Sequence, residues 1–452
     1  MMQFPKAKLV AHMRHLTTDG TAGLALSMSL TGVLSIVSSL TLTRLLDASS
    51  YGVLGIITSV AYLLTMISDV ALHNFIARHA EGDDSRFLDQ IWTLRLLRAV
   101  LLTASMMLMA KPIALLLGKP ELWFAIAIWS LNFLIEGCSS LAFATAIRNR
   151  QLWRLSALDI STNIATFLLC LVIAFLLKSY WALIIGMLCG AIVKTIMSYA
   201  LFPSGSRQWA LDRSRFIELW EFSRNIAASS LLSLVIMQSD RLILAKMMPL
   251  PSYGLYIIAL SLATSCGSLA GPYAQQVLSA AYSKAAREGV EVLKRIYYAQ
   301  RRVVTLIQMA SIGGIIGGAP LIITILYDPR YNGMVPFFQI LLISAALRLP
   351  VASANEAMLA LGNSRPMLMS NIVRVAWLAV GGLTGLITGN FMWVLFAIGT
   401  IEAVALLSFW RDLHRAGLLS LEEEGYCISA VILCAAIGAG VSYTTLAVWK
   451  GS

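Results

Sequence analysis

Charge is what this sequence has least of. Asp, Glu, Lys and Arg make up 13% of its 452 residues, about half the ~25% usual in soluble domains. Acidic residues are the scarcer sign, 23 against 34 Lys and Arg. His12, His15, His73, His79 and His414 are the only histidines, and none has metal-ligand spacing. The six cysteines, Cys138, Cys170, Cys189, Cys266, Cys427 and Cys434, form no CxxC pair and sit in apolar runs. They read as small buried hydrophobes rather than disulfide or metal partners. No P-loop occurs, which argues against direct ATP hydrolysis. Together these shortages argue against a soluble enzyme, a secreted disulfide scaffold and a nucleic-acid binder, and no cofactor is expected.

What fills the chain instead is apolar: 58% of residues are hydrophobic and the mean hydropathy is +0.77. Thirteen runs read as membrane helices, near 21–43, 51–73, 91–110, 121–147, 155–177, 180–202, 222–245, 251–281, 303–326, 335–361, 367–388, 391–410 and 426–449. They are long and continuous, unlike the short alternating strands of a membrane barrel. Thirteen spans of ~21 residues leave only short loops, too little for a water-soluble catalytic domain. Lys6, Lys8 and Arg14 precede the first run, and no small-residue cleavage site follows it. A retained span is therefore expected there rather than a signal peptide.

Lys and Arg orient the chain, because basic loops stay cytoplasmic. With a cytoplasmic N-terminus, twenty-one of them fall on the cytoplasmic side, seven on the other and six within spans. Trp92, Trp123, Trp153, Trp181, Trp393, Trp410 and Trp449 lie at span ends, as an interfacial belt requires. The net charge of +11 thus marks orientation and gives no support to a nucleic-acid partner. Before the seventh span, Trp209, Phe216 and Trp220 share one helical face, with Arg207, Arg213 and Arg215 elsewhere. This pattern predicts an amphipathic interfacial helix, the alternative being a plain connector. The segment from Tyr282 to Arg302 reads either the same way or as the extension of two long helices.

An internal repeat organises the spans. Ser50-Tyr51-Gly52 returns as Ser252-Tyr253-Gly254, and Ala146-Ile147-Arg148-Asn149 is echoed by Ala360-Leu361-Gly362-Asn363. Both echoes fall at corresponding places if six spans repeat as six. An even number preserves orientation, so the repeat is parallel, with its axis along the membrane normal. The expected fold is all-α: a polytopic membrane protein of two pseudo-twofold-related six-helix bundles around a central cavity, plus one extra, peripheral C-terminal helix. The expected divisions are 1–205, a linker at 206–221, 222–412, and a loop with the additional helix at 413–452.

Charges inside a membrane cost at least ~2.5–3.5 kcal/mol each on insertion scales. Here Arg95, Arg98, Lys194, Arg241, Arg348 and Arg374 oppose Asp69, Glu136, Asp159, Asp240, Glu356 and Glu402. Mutual pairing that pins helices is the plain reading of any one of them. Asp69, Arg95, Asp159 and Arg374 lie near cytoplasmic span ends, within snorkelling reach. Asp240 and Arg241 are neighbours and cannot face each other on a helix, so a structural or gating place is expected for them, as for Arg44 and Glu402. Glu136, Arg348 and Glu402 are the deepest, Arg98 and Lys194 intermediate. Ser27, Thr31, Ser35, Ser38 and Ser39 in span one, and Ser229, Ser230, Ser233 and Gln238 in span seven, form polar faces. These suit close helix packing or a hydrated wall.

Several motifs resemble the polysaccharide transporters of the multidrug/oligosaccharidyl-lipid/polysaccharide exporter superfamily. They are Leu42-Thr43-Arg44-Leu45-Leu46-Asp47 before Tyr51-Gly52, Asp240-Arg241 before Tyr253-Gly254, and Pro272 followed by Ala281-Tyr282-Ser283. Pro320 through Leu326-Tyr327-Asp328-Pro329-Arg330-Tyr331, then Pro336, Gln339-Ile340-Leu341 and Ala360-Leu361-Gly362-Asn363, complete the series. It covers about residues 20 to 412 and is most similar to the O-antigen and exopolysaccharide flippase branch. The resemblance implies twelve core helices, alternating access, and a bacterial inner-membrane protein that moves polyprenyl-diphosphate-linked glycans. It implies membrane lipids, and polymerase and chain-length machinery, as further partners. A single extra span departs from the commoner two.

A diphosphate crossing the membrane needs cations in a hydrated cavity. Arg98, Lys194 and Arg348 are the expected substrate contacts, with Glu136 as their counter-charge or a coupling-proton site. Two other functions stand beside the flippase. A multidrug-type antiporter fits the same six-plus-six plan. A membrane polymerase or ligase fits less well, because the periplasmic loops are short and Asp83-Asp84 is a lone, solvated acidic pair.

Overall fold

The computed structural model describes residues 21–451, apart from 69–71, 73–74, 77–78, 80, 83, 142–144, 147–148, 150–151, 203–207 and 269. Side chains are also not described at 21–29, 67, 152–153, 222–237 and 449–451. Lys6, Lys8, Arg14, His12, His15, Asp69, His73, Arg78 and Asp83 therefore lie outside the described residues. So do Ile147, Arg148, Arg150 and Arg207, and the side chains of Ser27, Trp153, Arg224, Ser229, Ser230, Ser233, Trp449 and Lys450.

Each of the thirteen apolar runs holds helix. In the first half these are α1 (Thr21–Leu45), α2 (Ala48–Ile67), α3 (Ser85–Leu116), α4 (Trp123–Trp129), α5 (Leu131–Gly137), α6 (Leu152–Leu177) and α7 (Trp181–Leu201). Then follow α8 (Arg213–Met247), α9 (Leu250–Gly267), α10 (Ser279–Glu288), α11 (Val290–Leu326), α12 (Val335–Ala360), α13 (Arg365–Thr388), α14 (Met392–Arg415) and α15 (Leu421–Gly451). No strand occurs among the described residues. Ten of the expected spans are long and apolar enough to cross a membrane, counting described residues only. The protein is a multi-pass, all-α membrane protein.

The chain divides into two compact units, Met1–Leu231 and Leu232–Ser452. In the first, α1 packs on α6, α6 on α7, and α3 on α4 and α5. In the second, α11 packs on α15 and α12, α13 on α14, and α12 on α9 and α14. The repeat is visible in the element order. A proline-led 3-10 turn follows the third span of each half, at Pro120–Leu122 and at Pro329–Met334. The fifth span of each half ends on a left-handed residue, Lys178 (φ 46°) and Gly389 (φ 67°). Glycine adopts that conformation freely; lysine does so rarely.

Three expectations change, and the structure decides between the two readings of the Tyr282–Arg302 segment. The fourth span is not one helix over 121–147: it breaks at Ser130 and stops at Gly137. The Ser130 hydroxyl donates to the Ala127 carbonyl (2.6 Å) while Thr103 of α3 donates to the Ser130 carbonyl (3.1 Å). Side-chain hydrogen bonds here compete with the helix ladder. Secondly, the linker helix is not separate. Asp212 accepts from the amide and hydroxyl of Ser214 (2.9 and 2.7 Å) and starts α8. No Gly or Pro then interrupts it before Met247. Trp209 precedes the helix and so does not share its face. Phe216 and Trp220 are exposed, while Leu219 is buried against Phe75, Phe87 and Ile91. Arg215 holds this segment by bonding Glu81 and Glu218, and Glu218 accepts from or pairs with His79 at 2.9 Å.

The Tyr282–Arg302 segment is the continuation of α10 and α11, separated at Gly289 (φ 122°). Thirdly, Arg301 is not a loop cation. It is 1% exposed and pairs with Glu424, itself 2% exposed, at the start of α15. Its guanidinium lies over the Tyr297 ring, 4.2 Å from the centroid. Further along, Gly313 and Gly317 let α15 run directly against α11 at Val431 and Ala435. The extra helix is thus clamped along one face, and most of its other side chains are exposed.

Candidate functional site

The first unit holds four of the sequence-derived candidates, each beside local groups. Arg98 donates to the Ser68 hydroxyl (3.0 and 3.2 Å) and the Thr65 carbonyl (3.0 Å) of α2 and its end. Exposed Glu136 accepts from Asn132 one turn back (3.0 Å). Its carbonyl, with Ser139, receives Arg95. Lys194 of α7 faces Asp159 of α6 at 3.8 Å. Arg44 stands in an apolar groove of about 520 Å³ walled by Leu45, Leu171, Val172, Phe175 and Leu176. Among the described residues, the groove at Arg44 is lined by none of the other three.

The second unit does gather its candidates. Glu402 of α14 accepts from Arg374 of α13 at 2.6 Å, and both side chains are more than four-fifths buried (17% and 16% exposed). Asn371 takes another Arg374 N–H at 3.1 Å. One turn further along α13, the Trp377 indole donates to Thr400 of α14 at 3.0 Å, which fixes the α13–α14 register. Asp240 of α8 is buried and accepts from Tyr256 of α9 at 2.6 Å. It ties α8 to α9, in keeping with a structural place. Its neighbour Arg241 has a different environment: its Nε is buried without a hydrogen-bond partner.

Arg348 projects from the middle of α12. It is half-buried, and no hydrogen bond or ion pair satisfies it among the described residues. Two features of sequence shape its surroundings. Pro350 removes one backbone donor from α12 beside it. Gly267 leaves room for its stem, since a Cβ there would lie 3.1 Å from Arg348 Cδ.

Two cavities meet at Arg348. One, of about 350 Å³, is lined by Ser268, Gly271, Asn355, Ser370, Asn371, Arg374, Glu402 and Phe409 as well as Arg348. The other, of about 310 Å³, is lined by Asp240, Arg241, Thr264, Ser344, Arg348 and Glu402 among apolar residues. Both approach the lower end of ligand-pocket sizes. An arginine with spare donors on a hydrated wall can grip a phosphate bidentately. The sequence marks Arg348 as a substrate contact, Arg241 and Glu402 as structural or gating residues, and Arg374 as a charge that pairs or snorkels; it does not single out Asn355, Asn371 and Ser370. Their signal was polar residues inside apolar runs, which only the facing of α12 and α13 turns into a cavity wall.

Known proteins place this architecture. A family model described as polysaccharide biosynthesis protein matches residues 41–336. The succinoglycan biosynthesis transport protein ExoT of Rhizobium meliloti (strain 1021) is 19% identical over 377 residues, covering 83% of this chain and 75% of its own. The lipopolysaccharide biosynthesis protein WzxC of Escherichia coli (strain K12) is 20% identical over 341 residues, covering 74% and 68%. Among solved structures, an inward-facing multidrug resistance transporter of the MATE family and MOP superfamily has a TM-score of 0.65 at 13% identity, over 88% of this chain and 98% of that one. The lipid II flippase MurJ, inward closed, has a TM-score of 0.64 at 13% identity, over 94% and 99%. Both share the fold.

Proposed function

The chain belongs to the polysaccharide biosynthesis protein family, and from that premise we propose that it is a flippase for polyprenyl-diphosphate-linked oligosaccharides. It works by alternating access in the bacterial inner membrane, with a cytoplasmic N-terminus, and feeds surface or exopolysaccharide synthesis. The relatives named for succinoglycan transport and lipopolysaccharide biosynthesis support the substrate class. The threefold Lys and Arg bias supports the orientation. Polysaccharide polymerase and chain-length machinery are the partners that would take up the product.

One observation carries the reading: Arg348 is a half-buried guanidinium without a partner among the described residues, shared by two polar cavities. A buried cation without its counter-charge is costly, and a diphosphate supplies that charge. Arg241 lines the second cavity with it, and Arg374 is restrained by Glu402. Arg98 and Lys194 are further cations for the headgroup, Lys194 the weaker because Asp159 already compensates it. Glu136 remains the candidate for a counter-charge or coupling proton. The polyprenyl chain stays in lipid while the headgroup crosses.

Arg348→Ala is expected to abolish surface polysaccharide while the protein persists, folded, in the membrane. Normal polysaccharide in that variant would remove Arg348 from the site. A multidrug-type antiporter would place a cationic drug against Arg241 and Arg348 as like charges, so efflux of cationic dyes by the wild-type protein would overturn the flippase reading.

A further inference from the structure

The two cavities of the second unit differ in chemistry, and the difference divides the substrate. Resting on the flippase reading, we propose that the Arg241–Arg348 cavity holds the diphosphate and the Ser370–Asn355 cavity holds the first sugar, a neutral hexose ring. Arg348, on the wall common to both, then sits at the junction between sugar and phosphate.

The sugar side is polar yet nearly uncompelled by charge. Arg374 and Glu402 face each other at 2.6 Å and cancel. What remains on that wall is amide and hydroxyl: Asn355, Asn371, Ser268 and Ser370. Three buried polar atoms there have no partner among the described residues, namely Asn355 Oδ1, Ser370 Oγ and Arg374 Nε. Ser370 is 1% exposed, so bulk water does not serve it. An acceptor, a hydroxyl and a donor on residues that line one hollow match sugar hydroxyls, which both give and take hydrogen bonds. Alongside, the helix after α9 is interrupted, and a π-helical stretch runs over Ala274–Leu278. Such bulges recur at functional sites. On the phosphate side one Asp240 oxygen accepts from Tyr256 and the other is buried without a partner among the described residues; Arg241 and Arg348 are the charged groups with donors to offer.

The test uses the full-length protein in lipid nanodiscs and direct binding of two kinds of probe. One is undecaprenyl diphosphate; the other is the same lipid bearing a single glucose, galactose or N-acetylglucosamine. The wild type is expected to prefer at least one glycosylated probe by about tenfold or more. Ser370→Ala and Asn355→Ala should each reduce that preference by about three- to tenfold, the value of one or two hydrogen bonds, and leave binding of the bare lipid unchanged. Arg348→Ala should weaken both probes. Ser370→Ala removes a hydroxyl that has no partner among the described residues, so it should melt no lower than wild type, and loss of fold does not confuse the result. Equal binding of bare and glycosylated lipids by the wild type, or equal weakening of both by Ser370→Ala, would overturn the division. A wild type that binds neither probe would instead overturn the flippase reading on which the division rests.

Discussion

The fifth and sixth spans of the two halves each carry one ion pair, and the two pairs have opposite polarity. In the first unit Asp159 of α6 meets Lys194 of α7; in the second Arg374 of α13 meets Glu402 of α14. The acid and the base have exchanged helices. The pairs also differ in grip. Asp159 and Lys194 are 3.8 Å apart and 37% and 53% exposed, whereas Arg374 and Glu402 are 2.6 Å apart and 17% and 16% exposed. Two helices of a repeat need a clamp, and either polarity supplies one. Among the described residues, the second unit's clamp is enclosed with Asn355, Ser370 and Asn371, and there it borders a polar cavity. The same architectural position is a fastening in one half and part of a wall in the other.

The largest effect should come from breaking the enclosed clamp. Glu402→Ala leaves Arg374 largely buried and uncompensated, and a loss of about 3 kcal/mol of stability is expected. Thermal melting in detergent measures it, and a melting point unchanged from wild type would show that the pair contributes nothing. Next in size is the exchange of polarity. Arg374→Glu combined with Glu402→Arg reproduces the order found in α6 and α7. The double variant should regain more than half of the stability that either single change removes. Transport should stay impaired, because the carboxylate now stands where Asn371 received a guanidinium N–H. Melting and flipping assays on the same preparations separate the two readouts. The smallest effect is expected at the looser pair: Lys194→Met should cost about 1 kcal/mol or less. A loss as large as that of Glu402→Ala would erase the contrast between the halves.

Much of this was legible in the sequence, and the failures have physical causes. Continuous apolar runs located the helices because lipid forces every backbone group into an internal hydrogen bond. The repeat emerged from two short echoes and reappears in paired proline-led turns and left-handed helix ends. Arg348 and Arg241 were recognisable as intramembrane cations. Their shared surroundings were not, because composition gives the depth of a residue but not the direction it faces. Arg374 shows the limit: pairing is the plain reading of such a charge, but only the facing of α13 and α14 names Glu402 as the partner and turns the side chain inward rather than to the interface. The break at Ser130 depends on a hydroxyl from α3 and so on a neighbouring helix. The continuity of α8 was readable, since no Gly or Pro lies between Arg213 and Met247; the polar composition of its first turns concealed it.

The Arg301–Glu424 pair sets a schedule for the growing chain. Its two members are 123 residues apart in sequence, so at about 5–20 residues per second the arginine waits roughly 6–25 s for its partner. Until α15 emerges, α11 carries an unmatched cation and an uncovered glycine seam. Synthesis of α15 is therefore the step that matches this cation and covers the seam. A chain interrupted before Glu424 would present a marked defect to quality control, whatever the state of its transport site.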